Sequence, residues 1–397
     1  MLSYTSAVII ALDATPLTVP TGGVARYTSE LARALAARFP ENEYWLLSDR
    51  PFPMPDPRPT NLGSLRRTPS DLPLTNLKKG DPPRTFLGRR WWSVGLLREI
   101  MRRRADLFHG TDFSTPYVPL RPSVMTVHDL SPWLDGLHKL DGLDAKSGKH
   151  PDRPWQPDSA RVRRRTAMLL RLRVPTMVIT PTEAIRRAVI ERFRLPGTQV
   201  VAVPLAASEH FRPVACPPPA TPFFLFVGTL EQRKNISCLI EAWREVRQTH
   251  NIDLVIAGRA RADFPPLAAE PGLRVLGPVP DEDLPQLYST ARAVVYPSLY
   301  EGFGLPVLEA MQCGAIVVTS RDPAIMEVAG DAAIFETVNA AGDVRGLAAT
   351  LASIAETPHN FAPLRERALR RAKQFSWRRT AELTQEVYAE ACRVFRH

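Results

Sequence analysis

Residues 291–320 constrain the fold of this chain more than any other stretch. Ala291–Tyr296 is a short apolar run that reads as a buried strand, and Ala315–Ser320 reads as a second. Between them runs Pro-Ser-Leu-Tyr-Glu-Gly-Phe-Gly-Leu-Pro-Val-Leu-Glu-Ala-Met-Gln-Cys-Gly, a glycine loop followed by a helical segment. Two strands joined through a helix lie parallel in one sheet. The loop that opens such a helix offers backbone N–H groups and the positive end of the helix dipole, which together favour an anion. Gly302 and Gly304 permit close backbone approach to it. Pro306 falls in the first turn, where its missing N–H is not needed.

Glu301 in the loop and Glu309 on the helix would repel a bare phosphate. They become useful when the ligand also carries hydroxyls, because carboxylates accept strong charge-assisted bonds from a diol. A phosphate flanked by polyols on both sides describes a nucleotide sugar, with ribose at one end and a hexose at the other.

The rest of the chain repeats the alternation of strand and helix, which implies parallel α/β architecture. In the first half Ala7–Leu12, Tyr44–Leu47, Leu107–His109, Val124–Val127, Met177–Thr180 and Val200–Val203 read as strands, with helices at Val24–Phe39 and Glu183–Phe193. In the second half the strands are Phe223–Val227, Leu254–Ala257, Leu273–Leu276, Val294–Tyr296 and Ile316–Thr319. The helices there are Ile236–Arg247, Asp281–Ser289, Leu305–Cys313 and Gly342–Ile354, with a last one at Trp377–Val394. A proline-rich segment at 204–222 reads as a linker. The expected domains are residues 1–207 on the acceptor side, 208–375 on the donor side, and a terminal helix at 376–397. Residues 51–90 and 131–165 read as long basic loops, either solvated surface or a contact for an acceptor or an anionic membrane.

Lys and Arg number 51 against 41 Asp and Glu, a net charge of +10. That excess suits phosphorylated substrates, anionic membranes or nucleic acid alike. Nucleic-acid binding stands as the non-enzymatic alternative, although no recognition motif is present and the arginines are not interleaved with aromatics. Cys216, Cys238, Cys313 and Cys392 are scattered, with no C-x-x-C pair, which points to a reducing compartment. No apolar run approaches the ~18 residues of a spanning helix. Ala7–Leu12 lacks a basic lead and reads as a first strand rather than a signal peptide, so the expected location is cytoplasmic.

Other constellations surround the glutamate pair. Gly228-Thr-Leu-Glu-Gln-Arg-Lys-Asn235 follows a strand and precedes a helix, and Arg233 with Lys234 can neutralise a diphosphate. Gly22-Gly23, between the first strand and first helix, reads either as a tight turn or as a second approach to phosphate. His128 and Asp129 lie just past one strand, with Asp129 a candidate to orient the imidazole, and His109 lies past another. Asp281-Glu282-Asp283 superficially resembles a metal-binding D-x-D, but it reads as the acidic start of a helix, and no metal is expected. Arg259 and the segment around Val279 are weaker donor-side candidates.

Glu301-Gly-Phe-Gly-Leu-Pro-Val-Leu-Glu-Ala310 resembles the signature of the retaining family 4, or "group 1", glycosyltransferases, two glutamates separated by seven residues in an E-G-F-G-L-P-x-L-E-A context. The resemblance covers most of both halves and includes the G-T-x-x-x-R-K-N pattern at Gly228–Asn235. It implies the GT-B fold: two Rossmann-like doubly wound domains facing a central cleft, with the last helix crossing back to the N-terminal domain. It also implies hexose transfer from a nucleotide diphosphate sugar to an acceptor hydroxyl, with retention and without a metal or cofactor. Arg233 and Lys234 would hold the phosphates, helped by the backbone of Gly22, Gly23, Gly228, Gly302, Phe303, Gly304 and Leu305. Glu309 would hold the ribose, Glu301 the hexose, and Val279 would sit near the nucleobase. His128 would approach the donor sugar, with His109 and Asp129 toward the acceptor. The Thr126-Val-His-Asp-Leu130 context is most similar to mannosyltransferases of bacterial surface polysaccharides, which makes GDP-mannose the first donor and a UDP-sugar the second, with a saccharide or lipid-linked saccharide as acceptor. A nucleotide-sugar epimerase of the same fold is the enzymatic alternative. Two departures stand out: Pro204-Leu-Ala-Ala-Ser208 replaces the usual P-x-G-V-D, and Thr182 replaces a common serine.

Overall fold

The computed structural model describes residues 7–19, 22–55, 74–83, 90–134, 159–338 and 344–395, with the side chains of 159–162 excepted. The chain divides into two compact units. The first holds residues 1–132, 152–205 and 376–397; the second holds 133–151 and 206–375.

The first unit is built on seven parallel strands: β1 (Ile9–Asp13), β2 (Glu43–Leu47), β3 (Leu77–Lys79), β4 (Leu107–Gly110), β5 (Ser123–Thr126), β6 (Met177–Thr180) and β7 (Val200–Ala202). Their order is β3-β2-β1-β4-β5-β6-β7. Strands β4, β5 and β6 are buried throughout, as strands covered on both faces must be. The helices are α1 (Gly23–Arg38), α2 (Leu96–Arg102), α3 (Ser159–Arg171) and α4 (Glu183–Phe193). Thr182 caps α4, accepting from the Ile185 amide at 3.3 Å, so the threonine that departs from the family pattern supplies the capping oxygen.

The second unit repeats the plan with six parallel strands: β8 (Phe223–Val227), β9 (Asp253–Ala257), β10 (Leu273–Gly277), β11 (Ala293–Tyr296), β12 (Val317–Ser320) and β13 (Ile334–Glu336). The order is β10-β9-β8-β11-β12-β13. Its helices are α5 (Ile236–Arg247), α6 (Leu284–Thr290), α7 (Leu305–Gln312), α8 (Pro323–Ala329), α9 (Arg345–Glu356) and α10 (Ala362–Ala372). The last helix, α11 (Trp377–Phe395), belongs to the first unit and packs on α1. Trp377, Ala381, Thr384, Tyr388 and Ala391 recur at helical spacing and are all buried. Thr380 donates to the Pro204 carbonyl at 2.7 Å, and Arg38 meets Glu382 at 2.8 Å.

Several sequence expectations shift. The helix expected from Asp281 starts at Leu284, and Asp283 makes no side-chain cap bond. The second long loop, expected to run to residue 165, gives way to α3 at Ser159; most of both expected loops lies outside the described residues. The two units part between 205 and 206, where the sequence suggested 207 and 208. Ser208 and Phe211 are tied to the second unit because the Gln312 amide donates to both of their carbonyls, at 3.0 and 2.8 Å. Among the described residues, no helix is long and apolar enough to cross a membrane.

Candidate functional site

In each sheet the strand order reverses beside the first strand: between β1 and β4, and between β8 and β11. Ligands of open α/β sheets bind outside the carboxyl ends of strands at such a switch point. In the second unit the two loops leaving those ends are Gly228–Asn235, after β8, and Pro297–Gly304, after β11. The topology therefore brings together the two motifs singled out in the sequence.

Their side chains form one buried network. The Lys234 ammonium lies 2.5 Å from Glu301 Oε1, and both residues are largely buried. Arg233 reaches the other carboxylate oxygen at 3.1 Å, the Tyr300 carbonyl at 2.9 Å and Glu231 at 2.8 Å. Lys234 also donates to the Tyr296 hydroxyl, and Ser298 donates to Glu301. The Tyr296 ring stacks on Phe226 with centroids 5.7 Å apart. Burial alone would raise the Glu301 pKa, but Arg233 and Lys234 overcome it and hold the carboxyl at about 2. Burial, then the adjacent Arg233, pulls Lys234 below the ordinary lysine value, with Glu301 opposing.

The Glu301 backbone is fixed as well. Its amide donates to Asp322 Oδ2 at 3.2 Å, while Asp322 Oδ1 caps α8 by accepting from Ala324 and Ile325 at 2.9 and 3.1 Å. Burial, with a smaller push from the Glu301 charge, raises Asp322 to about 6 against these amide bonds. Gly304 precedes α7 at φ +87°, a left-handed conformation that a side chain would strain, and so aims the helix N-terminus. Phe303 is buried edge-on against Phe375, so only its backbone is available to a ligand. Glu309, one turn into α7, is 1% exposed and accepts a bond from the Tyr288 hydroxyl at 3.0 Å. Gly228 leaves β8 at the switch point, Arg259 is exposed after β9, and Val279 is half-buried after β10.

In the first unit Gly22, at φ +135°, caps the start of α1, and Gly23 is its first residue. His128 Nε2 donates to the Thr111 carbonyl at 2.8 Å, and the Tyr27 ring meets the imidazole edge-on at 4.8 Å. Burial lowers the His128 pKa, so the ring is neutral at neutral pH with the proton on Nε2, which leaves Nδ1 as an acceptor. Asp129 does not orient this ring: its Oδ1 is engaged by the Ser131 amide and hydroxyl, at 2.9 and 2.7 Å. Its effect on His128 is Coulombic.

The expectation for His109 fails on geometry. The ring is fully buried, with Nδ1 2.7 Å from the Tyr388 hydroxyl and Nε2 2.8 Å from Thr126 Oγ1. Tyr27 bonds the same Thr126 oxygen at 2.9 Å. His109 thus joins α11 to β4, β5 and α1 and has no surface to offer an acceptor.

The sequence reading missed Asp13 and Asp112, carboxyls at the ends of β1 and β4. Burial raises them to about 7 and about 6. Asp13 closes an apolar strand, which was the available signal. Tyr288, Tyr296 and Asp322 were not expected either, because their contacts span 21, 62 and 21 positions, and neither was Ser298, although it lies only three residues before Glu301 in the same loop.

Comparison with known proteins agrees with this geometry. The family described as Glycosyltransferase Family 4 matches residues 21–211, and the one described as Glycosyl transferases group 1 matches residues 209–375. O-antigen chain mannosyltransferase B of Escherichia coli is 30% identical over 408 residues, spanning 94% of this chain and 97% of the relative. Sucrose-phosphate synthase from Thermosynechococcus elongatus has a TM-score of 0.66 at 18% identity, covering 96% of this chain and 98% of the other. Anabaena HepE in complex with UDP and glucose has a TM-score of 0.64 at 18% identity, covering 97% and 100%. The architecture is GT-B, and the chain belongs to the group 1, family 4 glycosyltransferases.

Proposed function

We propose that this glycosyltransferase moves a mannose from GDP-mannose, with a UDP-hexose as second candidate, onto a hydroxyl of a saccharide or lipid-linked saccharide. The near full-length likeness to an O-antigen mannosyltransferase supports mannose and a role in surface polysaccharide synthesis, in the cytoplasm or at the inner face of the membrane. The observation that carries the reading is the Glu301 carboxylate held by Arg233 and Lys234 at the switch point, with Glu309 on the helix that follows.

In the reaction the acceptor oxygen attacks the anomeric carbon, the bond from that carbon to the phosphate oxygen breaks, and its electron pair stays on the leaving nucleoside diphosphate. The acceptor proton passes to the leaving phosphate on the same face, giving retention. Arg233, Lys234 and the N-terminus of α7 stabilise the charge that grows there, a preorganised electrostatic role. These groups supply the neutralisation that a metal supplies in other transferases. Glu309 accepts from the ribose diol and Glu301 from hydroxyls of the transferred sugar. The neutral His128, with Nδ1 as acceptor, is suited to a sugar hydroxyl.

Thermal unfolding with GDP, UDP and ADP tests the donor reading, since a ligand that binds only the native state raises its stability. GDP is expected to raise the unfolding temperature most. No shift with any of the three would sink the donor-site reading. With the donor known, NMR of the product reads the anomer, and activity in excess EDTA is expected to persist.

A further inference from the structure

Glu309 is held by a closed brace within the second unit. Its Oε2 accepts from the Tyr288 hydroxyl of α6 at 3.0 Å. The Tyr288 ring is fully buried and meets Phe211 edge-on, with centroids 5.9 Å apart. Phe211 is held in turn by the Gln312 side chain, which donates to its carbonyl at 2.8 Å. Gln312 lies one turn beyond Glu309 on the same helix, α7, so the path returns to its start.

The brace acts on the softest torsion of the site. The last torsion of a glutamate has a broad, roughly two-fold profile, so helix position alone does not fix the plane of the carboxylate. A carboxylate accepting from the two hydroxyls of a ribose needs that plane fixed. A donor on one oxygen helps to fix it, provided the donor itself cannot move. Tyr288 meets the condition: its ring has no exposed surface, and its neighbour Phe211 is anchored to the helix that carries Glu309. We propose that Tyr288 is a positioning residue that sets the orientation of Glu309 for the nucleotide ribose. The inference rests on the reading of Glu309 as the ribose acceptor.

The test is calorimetric. GDP and UDP, each beside its 2′,3′-dideoxy counterpart, are titrated into the full-length protein, its Tyr288→Phe variant and its Glu309→Gln variant. Tyr288→Phe keeps the buried ring and removes only the hydroxyl. The variant is expected to lose about tenfold in affinity for the ribonucleotide, as for a lost hydrogen bond to a charged group. Its affinity for the dideoxy nucleotide should be unchanged, so discrimination between the two falls. In turnover the loss should appear in donor KM rather than in kcat. Unchanged ribonucleotide affinity, or equal losses for both nucleotides, would overturn the inference. Glu309→Gln separates its failure from that of the underlying reading: if that variant keeps full discrimination, or if the parent binds neither ribonucleotide, the ribose reading itself falls.

Discussion

Lys234 and Glu301 meet at 2.5 Å in a buried pair that Arg233 completes from the other carboxylate oxygen at 3.1 Å. Both cations spend charge on Glu301 that a diphosphate would also claim. Glu301→Gln removes that competing charge and should tighten binding of a bare nucleoside diphosphate. The same change removes the charged acceptor proposed for the hexose hydroxyls and should weaken binding of the intact nucleotide sugar, each by about tenfold. Titration of GDP and GDP-mannose into the variant reads both signs. Parallel changes in the two affinities would count against the proposed division of labour.

Glu309→Gln has no such second effect, because Glu309 is proposed to serve only the ribose. Losing the charged acceptor of two hydrogen bonds should weaken both GDP and GDP-mannose by about a hundredfold. Unchanged affinity for either ligand would exclude the assignment.

Asp322 ties α8 to the Glu301 amide, and its pKa near 6 gives the tie a pH dependence. Its folded value lies above the unfolded 3.8, so its contribution to stability is fully present below about 3.8 and is lost as pH rises through about 6. Donor binding should follow the opposite course. The proton is best accommodated on Oδ2, because Oδ1 already accepts from two amides, and a protonated Oδ2 accepts more weakly from the Glu301 amide than a carboxylate oxygen does. Donor KM should therefore rise as pH falls through about 6. Asp322→Asn places an amide donor at that point; its KM should be raised about tenfold at pH 7 and lack the step near 6. A wild-type profile with no such step would remove Asp322 from the binding geometry.

The pattern of what the sequence disclosed follows from the range of the interactions. Residues 291–320 were readable because strand, glycine turn and helix start are local, and β11, Gly304 and α7 stand where that pattern put them. That Arg233 and Lys234 share a site with Glu301 followed from the family resemblance, whereas the bond from Lys234 to that carboxylate, across 67 positions, was not readable. Among the three-residue edge strands, β3, inside a segment expected to be loop, and β13 show no period, whereas β7 follows the unbroken apolar run Val200–Val203 and was readable. The supports of the site were hidden for another reason. Tyr288 to Glu309 spans 21 positions and Lys234 to Tyr296 spans 62, and neither pair shares a local pattern. Asp129 and His109 show the converse error, because strand-end position says where a side chain starts but not what it bonds.

His109 offers the last prediction, because a core role and an acceptor role respond differently to one substitution. His109→Phe keeps an aromatic ring and leaves the Tyr388 hydroxyl, and part of the Thr126 bonding, without a partner. An unsatisfied buried polar group costs about 1–3 kcal/mol, so the unfolding temperature should fall by several degrees. Acceptor KM and kcat, per native molecule, should not change. Burial, then the His128 charge, lowers His109 from 6.5 to about 3. A depressed histidine is buried neutral, so its contribution to stability is present above the unfolded value of 6.5 and is lost as pH falls toward 3. The variant has no such proton to gain. Its stability deficit against the wild type should therefore be widest at pH 7 and narrow steadily on acidification, as thermal unfolding across that range would show. A raised acceptor KM at undiminished stability would instead return His109 to the acceptor side.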